Sequence, residues 1–241
     1  MSDIRSQFYE SYVSTIKYEN ALLTPAELMH YYRWCDARYF PILRNLEKTS
    51  SILELGCGHG RVLCYLRTKG FTNAKGIDVS EEQIVLARKD GCNAEQADVL
   101  EYLKDQAPAS LDCVIAIDFV EHFTKEELLR LFELLHTTMK SGGVLVLQTV
   151  NGEGLFPRQI IYGDLTHMTI LSPGSMGQLL SATGFHDMKY FECAPLASGI
   201  KGMIRANGWK IIRAGANAIR KIESNKTQSV WTENFICSAR R

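Results

Sequence analysis

From residue 51 onward, short apolar segments alternate with longer amphipathic ones. The apolar segments, such as SILEL and LDCVIAID, have the length and composition of buried strands. The amphipathic segments, such as KEELLRLFELL, repeat their apolar positions with the period of a helix. This alternation predicts parallel βαβ units, and hence an α/β fold with an open doubly wound sheet. The predicted strands are 51–55, 74–78, 92–98, 111–118, 144–151, 186–193 and 229–240, and the predicted helices are 61–70, 80–91, 99–106, 125–143 and 172–185.

The first fifty residues precede this alternation and are rich in aromatic side chains. Thr24, Pro25 and Glu27 form the pattern of a helix start, with a capping threonine, a proline in the first turn and a glutamate three residues after the cap. The segment that follows carries apolar or aromatic residues on most of its sides, which is typical of a helix that is buried or covers something. We therefore predict an N-terminal helical cap over 1–50 and a main domain over 51–241.

The composition excludes several classes of protein. The 241 residues carry 27 Lys and Arg against 27 Asp and Glu, so the net charge is zero and a nucleic-acid partner is not expected. The N-terminus lacks the basic and apolar regions of a signal peptide, and no window has the length of apolar sequence that spans a membrane. The seven cysteines show no CxxC spacing, and we interpret them as free thiols in a reducing cytoplasm.

A glycine-rich loop joins the first predicted strand to the first predicted helix. It reads Glu54-Leu55-Gly56-Cys57-Gly58-His59-Gly60. Glycines at these positions permit a positive φ and let a ligand approach the backbone, while the helix behind offers unpaired N–H groups to an anion. The spacing matches neither the dinucleotide fingerprint GxGxxG nor the phosphate-binding P-loop, which ends in GK[ST]. We expect a ligand other than a dinucleotide or a nucleoside triphosphate.

Acidic residues follow three further strands. Asp78 lies at the end of the second strand, Asp98 at the end of the third and Asp118 at the end of the fourth. The carboxyl ends of parallel strands meet at one edge of the sheet, so we expect these acids to face the same crevice as the glycine loop. Asp78 suits bonding to ribose hydroxyls, and Asp98 can accept from an adenine amino group.

In this order and spacing, the motifs resemble those of class I S-adenosylmethionine-dependent methyltransferases. ILELGCGHG is similar to their first motif, GIDVS to the second, AEQADVL to the third and LDCVIAIDFVEHF to the fourth. The resemblance implies a Rossmann-like, doubly wound seven-stranded sheet, mostly parallel with an antiparallel last strand. It also implies S-adenosylmethionine as cofactor and S-adenosylhomocysteine as product. The implied cofactor-binding residues are Glu54, Gly56, Cys57, Gly58 and Gly60 for the methionine moiety, Asp78 for the ribose, Val79, Asp98 and Val99 for the adenine, and Asp118 and Phe119 on the methyl-donor side, with Cys57 interpreted as a small filling side chain.

Two histidines follow strands on the same side of the sheet and are the candidate catalytic residues. His122 follows the fourth strand in DFVEH, and His167 lies in the loop after the fifth strand, with Asp164 and Tyr162 as neighbours that could orient it. Histidine suits proton transfer near neutral pH, which a hydroxyl acceptor requires. For both, a purely structural role stays open as the alternative.

A metal site is the less favoured interpretation of part of this region. Asp118, Glu121 and His122 resemble the acid-x-x-Glu-His group that binds magnesium in ubiquinone-type O-methyltransferases, although Asp118 stands where those enzymes have glutamate. Many relatives carry this pattern without a metal. We expect a reaction that needs no divalent metal.

The segment 199–226 is a basic insert with helical spacing of its isoleucines. It is either an extra helix packed on the domain or a surface that meets an anionic acceptor or membrane lipid. Its charged residues are Lys201, Arg205, Lys210, Arg213, Arg220, Lys221 and Lys226 against Glu223.

The acceptor is less well defined than the cofactor. DLTHMTILSPGSMGQLL and FECAP resemble methyltransferases of bacterial polysaccharide and cell-envelope gene clusters, which implies O-methylation of a sugar hydroxyl or related group. The alternatives are a small-molecule O-methyltransferase of the quinone type and a non-catalytic adenosyl-ligand-binding protein. Aminopropyl transfer would require an extra acidic acceptor pocket that the sequence does not indicate.

Overall fold

The computed structural model describes residues 24–241, and its centre is a seven-stranded sheet with the order β3-β2-β1-β4-β5-β7-β6. All neighbouring pairs are parallel except those of β7, which runs antiparallel to both β5 and β6. The predicted Rossmann-like sheet with an antiparallel last strand is therefore confirmed. The strands are β1 Ile52–Leu55, β2 Ala74–Asp78, β3 Ala94–Gln96, β4 Leu111–Ile117, β5 Met139–Val150, β6 His186–Glu192 and β7 Asn234–Arg240.

Helices connect these strands and cover both faces of the sheet. Beyond the α-helices, a short 3₁₀ turn over Val120–His122 follows β4. The helices are α1 Pro25–Arg38, α2 Phe40–Leu43, α3 Arg61–Thr68, α4 Glu81–Lys89, α5 Val99–Lys104, α6 Lys125–Thr138, α7 Arg158–Gly163, α8 Pro173–Ala182 and α9 Gly199–Ser224.

Successive side chains of β4 point to opposite faces of the sheet, so the strand contributes to a hydrophobic core on each face. Val114 and Ala116 pack on the side of α6 and α8, whereas Cys113 and Ile115 pack on the side of α1 and α3. Both faces of the central strands are thus covered, which explains why their sequences are continuously apolar. All seven cysteines are free thiols.

The N-terminal region is described from Thr24 onward. Thr24 caps α1 through the predicted reciprocal pair with Glu27, and Pro25 is the first helical residue. The buried side chains of Cys35 and Tyr39 join the core on one face of the sheet. Residues 1–23 of the predicted cap lie outside the described residues, and the division at residue 50 stays a prediction.

Several element boundaries differ from the sequence prediction, and β7 begins at Asn234 rather than at residue 229. Helix α6 ends at Thr138 rather than near Gly143, because Met139 already pairs with Leu111 of β4 and starts β5. β3 is shorter than predicted, since Asp98 turns away to begin α5. Helix α7 was not predicted. Across residues 24–241, none of the helices combines the length and the apolar character that a membrane crossing requires.

Candidate active site

The glycine loop lies at the carboxyl end of β1, between the ends of β2 and β4 in the sheet. Gly56, Gly58 and Gly60 all have positive φ, at 64°, 53° and 83°. A Cβ on Gly56 would lie 2.4 Å from the Phe119 ring, and one on Gly60 would lie 2.9 Å from Cys92 Sγ. Two of the three glycines are therefore required by close packing as well as by backbone conformation.

Glu54 is a buried acid directly below this loop. It is 3% exposed, and its Oε2 is buried without a hydrogen-bond partner. Burial raises the pKa of the Glu54 carboxyl well above its ordinary value, and the negative charge of Asp78 raises it further. The Leu63 backbone donates to this carboxyl and opposes the rise in its pKa, but the unpartnered Oε2 is costly to bury in charged form, so this position is suited to a ligand that brings a cation.

Cys57 occupies the middle of the loop as a packing residue. Its side chain is buried, and it fills the space beside Gly76 so closely that a Cβ there would lie 2.5 Å from Cys57 Cβ. Burial raises the pKa of the Cys57 thiol, and nearby Glu54 and Asp78 raise it further. A thiol in this environment is unreactive, as expected of a small apolar filler.

Asp78 ties the second strand to the loop. Its Oδ2 accepts a hydrogen bond from the Gly58 N–H at 2.8 Å, and its Oδ1 accepts from the Ser80 N–H at 2.9 Å. Val79 beside it is about half exposed at 48% and presents an apolar surface at the edge of the crevice. The carboxylate and the apolar surface are thus adjacent, as the binding of a nucleoside would require.

Asp98 is not the end of β3, as the sequence predicted, but the N-cap of α5. Its Oδ1 accepts from the N–H groups of Leu100 and Glu101 at 2.9 and 3.1 Å. Val99 is buried as the first residue of that helix. The proposed contacts of Asp98 and Val99 with an adenine stay a prediction. A helix cap is the alternative role for an acid that follows a strand, and the structure shows Asp98 in that role.

Asp118 follows β4 with a φ of 49°, an unusual conformation for a residue other than glycine. Its Oδ1 accepts from Gln148 Nε2 at 3.0 Å and from Asn234 Nδ2 at 3.1 Å. Gln148 in turn accepts from the Tyr39 hydroxyl at 2.9 Å, so the C-cap residue of α1 is connected to this carboxylate. Phe119 points the other way, over Gly56, with its ring 4.9 Å from that of Phe123.

Sequence reasoning missed the residues that hold Asp118. Gln148 left a readable signal, since a glutamine inside the apolar run VLVLQTV is a buried polar group that must find partners. Tyr39 and Asn234 left none, because their contacts with this region arise only when α1 and β7 join the sheet.

The structure brings His122 and His167 together, with ring centroids 5.0 Å apart. His122 Nδ1 lies 2.9 Å from Thr166 Oγ1 and 3.3 Å from the Thr166 carbonyl oxygen. Thr166 Oγ1 donates its one proton to Asp164 Oδ1 at 2.5 Å. Because the carbonyl only accepts and the hydroxyl proton is already committed, we assign the proton of neutral His122 to Nδ1 and the lone pair to Nε2.

Asp164 anchors this chain of hydrogen bonds. Burial alone would raise the pKa of its carboxyl, but the two hydrogen bonds from Thr166 and the nearby His122 and His167 lower that pKa below its ordinary value. Asp164 therefore acts on His122 through Thr166, whereas the sequence suggested that it orients His167. Tyr162, the other suggested partner, is 79% exposed. His167 Nδ1 is buried without a hydrogen-bond partner.

A candidate metal-binding group overlaps the histidine pair but differs from the predicted set. Among the described residues, ligand atoms of Glu121, His122 and His167 lie within 4.8 Å of one another. Asp118 does not belong to this group, since its carboxylate faces Gln148 and Asn234. Glu121 is 1% exposed and accepts from the Thr149 hydroxyl at 2.9 Å, so part of its carboxylate is already satisfied.

A cavity of about 330 Å³ opens beside Gln148 and Asn234, the two partners of Asp118, and neither of the two candidate histidines lines it. Its walls combine aromatic surfaces with amide, hydroxyl and carboxylate groups. The residues are Trp34, Phe156, Ile160, Cys193, Pro195, Trp209 and Trp231 on the apolar side, and Gln148, Thr232, Glu233 and Asn234 on the polar side.

Comparison with solved structures supports the interpretation of the sheet. A structure of a SAM-dependent methyltransferase from Archaeoglobus fulgidus superposes with a TM-score of 0.68 at 20% identity, and the match covers 99% of this chain and 100% of that one. At this identity the likeness concerns the fold.

Two curated relatives are each 27% identical over part of the chain. The ubiquinone biosynthesis O-methyltransferase of Idiomarina loihiensis matches over 153 residues, 57% of this chain and 62% of that protein. Cyclopropane mycolic acid synthase 1 of Mycobacterium tuberculosis matches over 118 residues, 48% of this chain and 40% of that protein. The chain thus spans less than two thirds of either relative.

The family model described as "Methyltransferase domain" matches residues 27–189, which include the glycine loop, the three acids and both histidines. This is more than half of the chain. The chain therefore belongs to the methyltransferase-domain family, which confirms the methyltransferase class predicted from its motifs.

Proposed function

We propose that the protein transfers a methyl group from S-adenosylmethionine to a hydroxyl group of a sugar, in a glycan or glycan precursor of polysaccharide or cell-envelope biosynthesis. When bound, S-adenosylmethionine supplies an activated electrophilic methyl group. The protein has to hold that donor, exclude water and align the acceptor, and alignment alone contributes about 7–11 kcal/mol in well-oriented cases.

The residues of the loop fit this cofactor. The buried, unpartnered Oε2 of Glu54 suits the cofactor's ammonium group, and the N-terminus of α3 behind Gly60 suits its carboxylate. Asp78 would hold the ribose hydroxyls, and Val79 would lie against the adenine. Asp98 and Val99 would meet the adenine edge, and Phe119 would close the donor side.

The observation that carries O-methylation is the hydrogen-bond chain from Asp164 through Thr166 to His122. A hydroxyl acceptor must lose its proton as the methyl group is transferred, and a positioned base contributes roughly 10²–10⁴-fold to such a step. With Nδ1 committed to Thr166, His122 has its lone pair on Nε2 and can take that proton. Asp164 and Thr166 act as positioning residues that favour this tautomer, and the His167 ring lies beside that of His122, 5.0 Å away between centroids.

A sugar acceptor agrees with the character of the cavity beside Gln148 and Asn234. Ligand sites for polar molecules combine apolar walls with a few placed hydrogen-bonding groups. Here tryptophan and phenylalanine side chains can cover the C–H faces of a ring, while the amides of Gln148 and Asn234 can meet hydroxyl groups. A quinone precursor would call for a narrow apolar tunnel instead.

A quinone-type O-methyltransferase is the second candidate, favoured by the grouping of Glu121, His122 and His167 and by the relative from Idiomarina loihiensis. In that case the three side chains would hold a divalent metal that orients an aromatic diol. A protein that binds an adenosyl ligand without turnover is the third, and it would lack any acceptor.

The test is incorporation of a radiolabelled methyl group over sugar nucleotides, lipid-linked glycans and quinone precursors, with and without a chelator. Methylation of a sugar acceptor in the presence of chelator supports the proposal. Methylation restricted to quinone precursors, lost on chelation, would establish the second candidate. Calorimetric binding of S-adenosylmethionine with no turnover on any acceptor would favour the third. As a control, His122→Asn should abolish most turnover while leaving cofactor affinity unchanged.

A further inference from the structure

The long helix α9 is attached to the domain by one face only. Trp209 Nε1 and Arg213 Nη1 both donate to Glu192 Oε2, at 3.2 and 2.8 Å. One and two turns further on, Asn217 exchanges two hydrogen bonds with the backbone of Gln228, and the Arg220 guanidinium lies 6.0 Å from the centre of the Trp231 ring. These residues recur at intervals of three and four, so they define a single inward face.

The opposite face of α9 carries an exposed apolar stripe. No residue of this 26-residue helix is buried. Four isoleucines at intervals of four, seven and eleven residues lie along its centre, and two more flank them. Contiguous apolar surface of this length on a soluble domain marks an interaction site, whereas scattered exposed side chains do not. The isoleucine stripe consists of Ile200, Ile204, Ile211 and Ile222 at the centre, 75%, 66%, 74% and 88% exposed, with Ile212 and Ile219, 51% and 70% exposed, beside them.

Basic side chains border the stripe on both sides. At 100° per residue, Lys201 and Arg205 fall on one side of it and Lys210 and Lys221 on the other. Glu223 is the one acidic residue of the helix. An apolar face bordered by lysine and arginine is the pattern of a helix that lies in the plane of an anionic membrane, because the long side chains reach the headgroups while the apolar face enters the acyl boundary.

A second copy of the chain is a poorer occupant for the same surface. Two stripes packed together would bring the basic borders of one helix against those of the other, and like charges at such distances repel. Anionic lipid, in contrast, complements both the stripe and its borders. The charges within the helix also argue for a position parallel to the membrane rather than across it.

We propose that α9 docks the protein on an anionic membrane surface, with the isoleucine stripe in the lipid and the inward face holding the domain above it. Trp209 of the inward face lines the cavity beside Gln148 and Asn234, together with Phe156. The cavity therefore lies on the side of α9 that faces away from the lipid, about one helix diameter from the membrane surface, where a lipid-linked acceptor would be available. The docking itself does not depend on the proposed function, since it requires neither cofactor nor acceptor.

The experiment is co-sedimentation of the full chain with vesicles of phosphatidylcholine alone and of phosphatidylcholine mixed with phosphatidylglycerol. The wild-type protein should bind the anionic vesicles, bind the neutral vesicles much less, and be released by high salt. The double variant Ile204→Ser/Ile211→Ser should lose about tenfold or more of its partition coefficient, since two buried apolar side chains are removed. Lys210→Glu/Lys221→Glu should lose a similar amount, confined to the anionic vesicles.

Matched controls separate docking from loss of the fold. Leu129→Ser on α6 removes an apolar side chain that is 43% exposed, and Lys125→Glu reverses an exposed charge on the same helix. Both should bind vesicles as the wild type does. All variants should keep the wild-type thermal midpoint and affinity for S-adenosylmethionine, because the changed side chains are exposed. Absence of binding to anionic vesicles, or equal binding by the stripe variant, would overturn the proposal, as would a solution dimer that the stripe variant dissociates.

Discussion

His122 Nδ1 lies 2.9 Å from Thr166 Oγ1, whose own proton is held by Asp164. The substitution Thr166→Val keeps the side-chain volume but removes the nearer acceptor. His122 Nδ1 is then left with the Thr166 carbonyl oxygen at 3.3 Å, and the tautomer with the lone pair on Nε2 loses part of its support. We expect kcat to fall by about 10-fold to 100-fold, part of the contribution of a positioned base. Steady-state turnover with saturating cofactor measures the effect, and calorimetry should show unchanged cofactor affinity.

Thr137→Val is the matched control, because Thr137 is exposed and its hydroxyl donates to the Glu133 carbonyl within α6. It should leave turnover unchanged. If Thr166→Val also had full activity, His122 would not depend on this hydrogen bond, and the base would have to be sought elsewhere.

Glu54 gives the cofactor site a pH dependence. Burial, with Asp78 adding to it, raises the pKa of this carboxyl, so the unliganded fold favours the neutral form. The cofactor's ammonium favours the charged form, and binding should therefore release a proton and become tighter as the pH rises towards the raised pKa. Calorimetry between about pH 6 and about pH 8, in buffers of different ionisation enthalpy, measures both quantities.

Glu54→Gln removes the titrating group. Affinity should fall by about 10-fold to 100-fold, the loss expected for a hydrogen bond to a charged group, and the remaining affinity should no longer vary with pH in this range. The unliganded wild type should also lose stability as the pH rises from the ordinary carboxyl pKa to the raised one, because the folded state binds the extra proton there. An unchanged pH profile of affinity in Glu54→Gln would contradict the assignment.

The Phe119 ring packs over Gly56 and leaves no room for a side chain at this position. An added Cβ would lie 2.4 Å from Phe119 Cδ2, at a backbone φ of 64° that side chains disfavour. Gly56→Ala should therefore destabilise the fold by about 1–3 kcal/mol and weaken cofactor binding. Gly163→Ala is the control, since a Cβ on Gly163 meets nothing within 4 Å and alanine is favoured in a helix. Thermal unfolding should show the loss in the first variant and no loss in the second.

The fold could be predicted from the sequence because its signals are local. Two strands predicted from apolar runs agree with the structure to within one residue at either end. The predicted strands 51–55 and 111–118 correspond to Ile52–Leu55 and Leu111–Ile117. The end of α6 could not be predicted in the same way. The segment around Lys140 has no helix-breaking residue before the glycines, and it is pairing with β4, together with the ion pair between Lys140 and Asp112, that draws it into β5.

The candidate site was predictable to the extent that strand ends determine it. Placing His122 and His167 after neighbouring strands was enough to expect them on one side of the sheet, and they do lie together. The partners of Asp118 were not predictable, since Gln148 and Asn234 reach it only through the packing of β5 and β7. The capping role of Asp98 could not be told apart from ligand binding beforehand, because a capping carboxylate and a ligand-binding one look alike in sequence.

The response to chelation distinguishes the two candidate roles of Glu121, His122 and His167. If His122 acts as the base, treatment with a chelator should leave turnover within about twofold of its starting value, because no step depends on a metal. If the three side chains hold a divalent ion, chelation should abolish turnover and added magnesium or manganese should restore it.

The substitution His167→Gln separates the two roles further. This substitution should cost little turnover when His167 only packs beside His122, whereas loss of one of three protein ligands should raise the metal concentration needed for activity by about 10-fold or more. We expect the first result, since Glu121 already accepts from Thr149 and His122 Nδ1 is held by Thr166 without any ion. Recovery of activity on metal addition after complete chelation would reverse this assignment and favour the quinone-type acceptor.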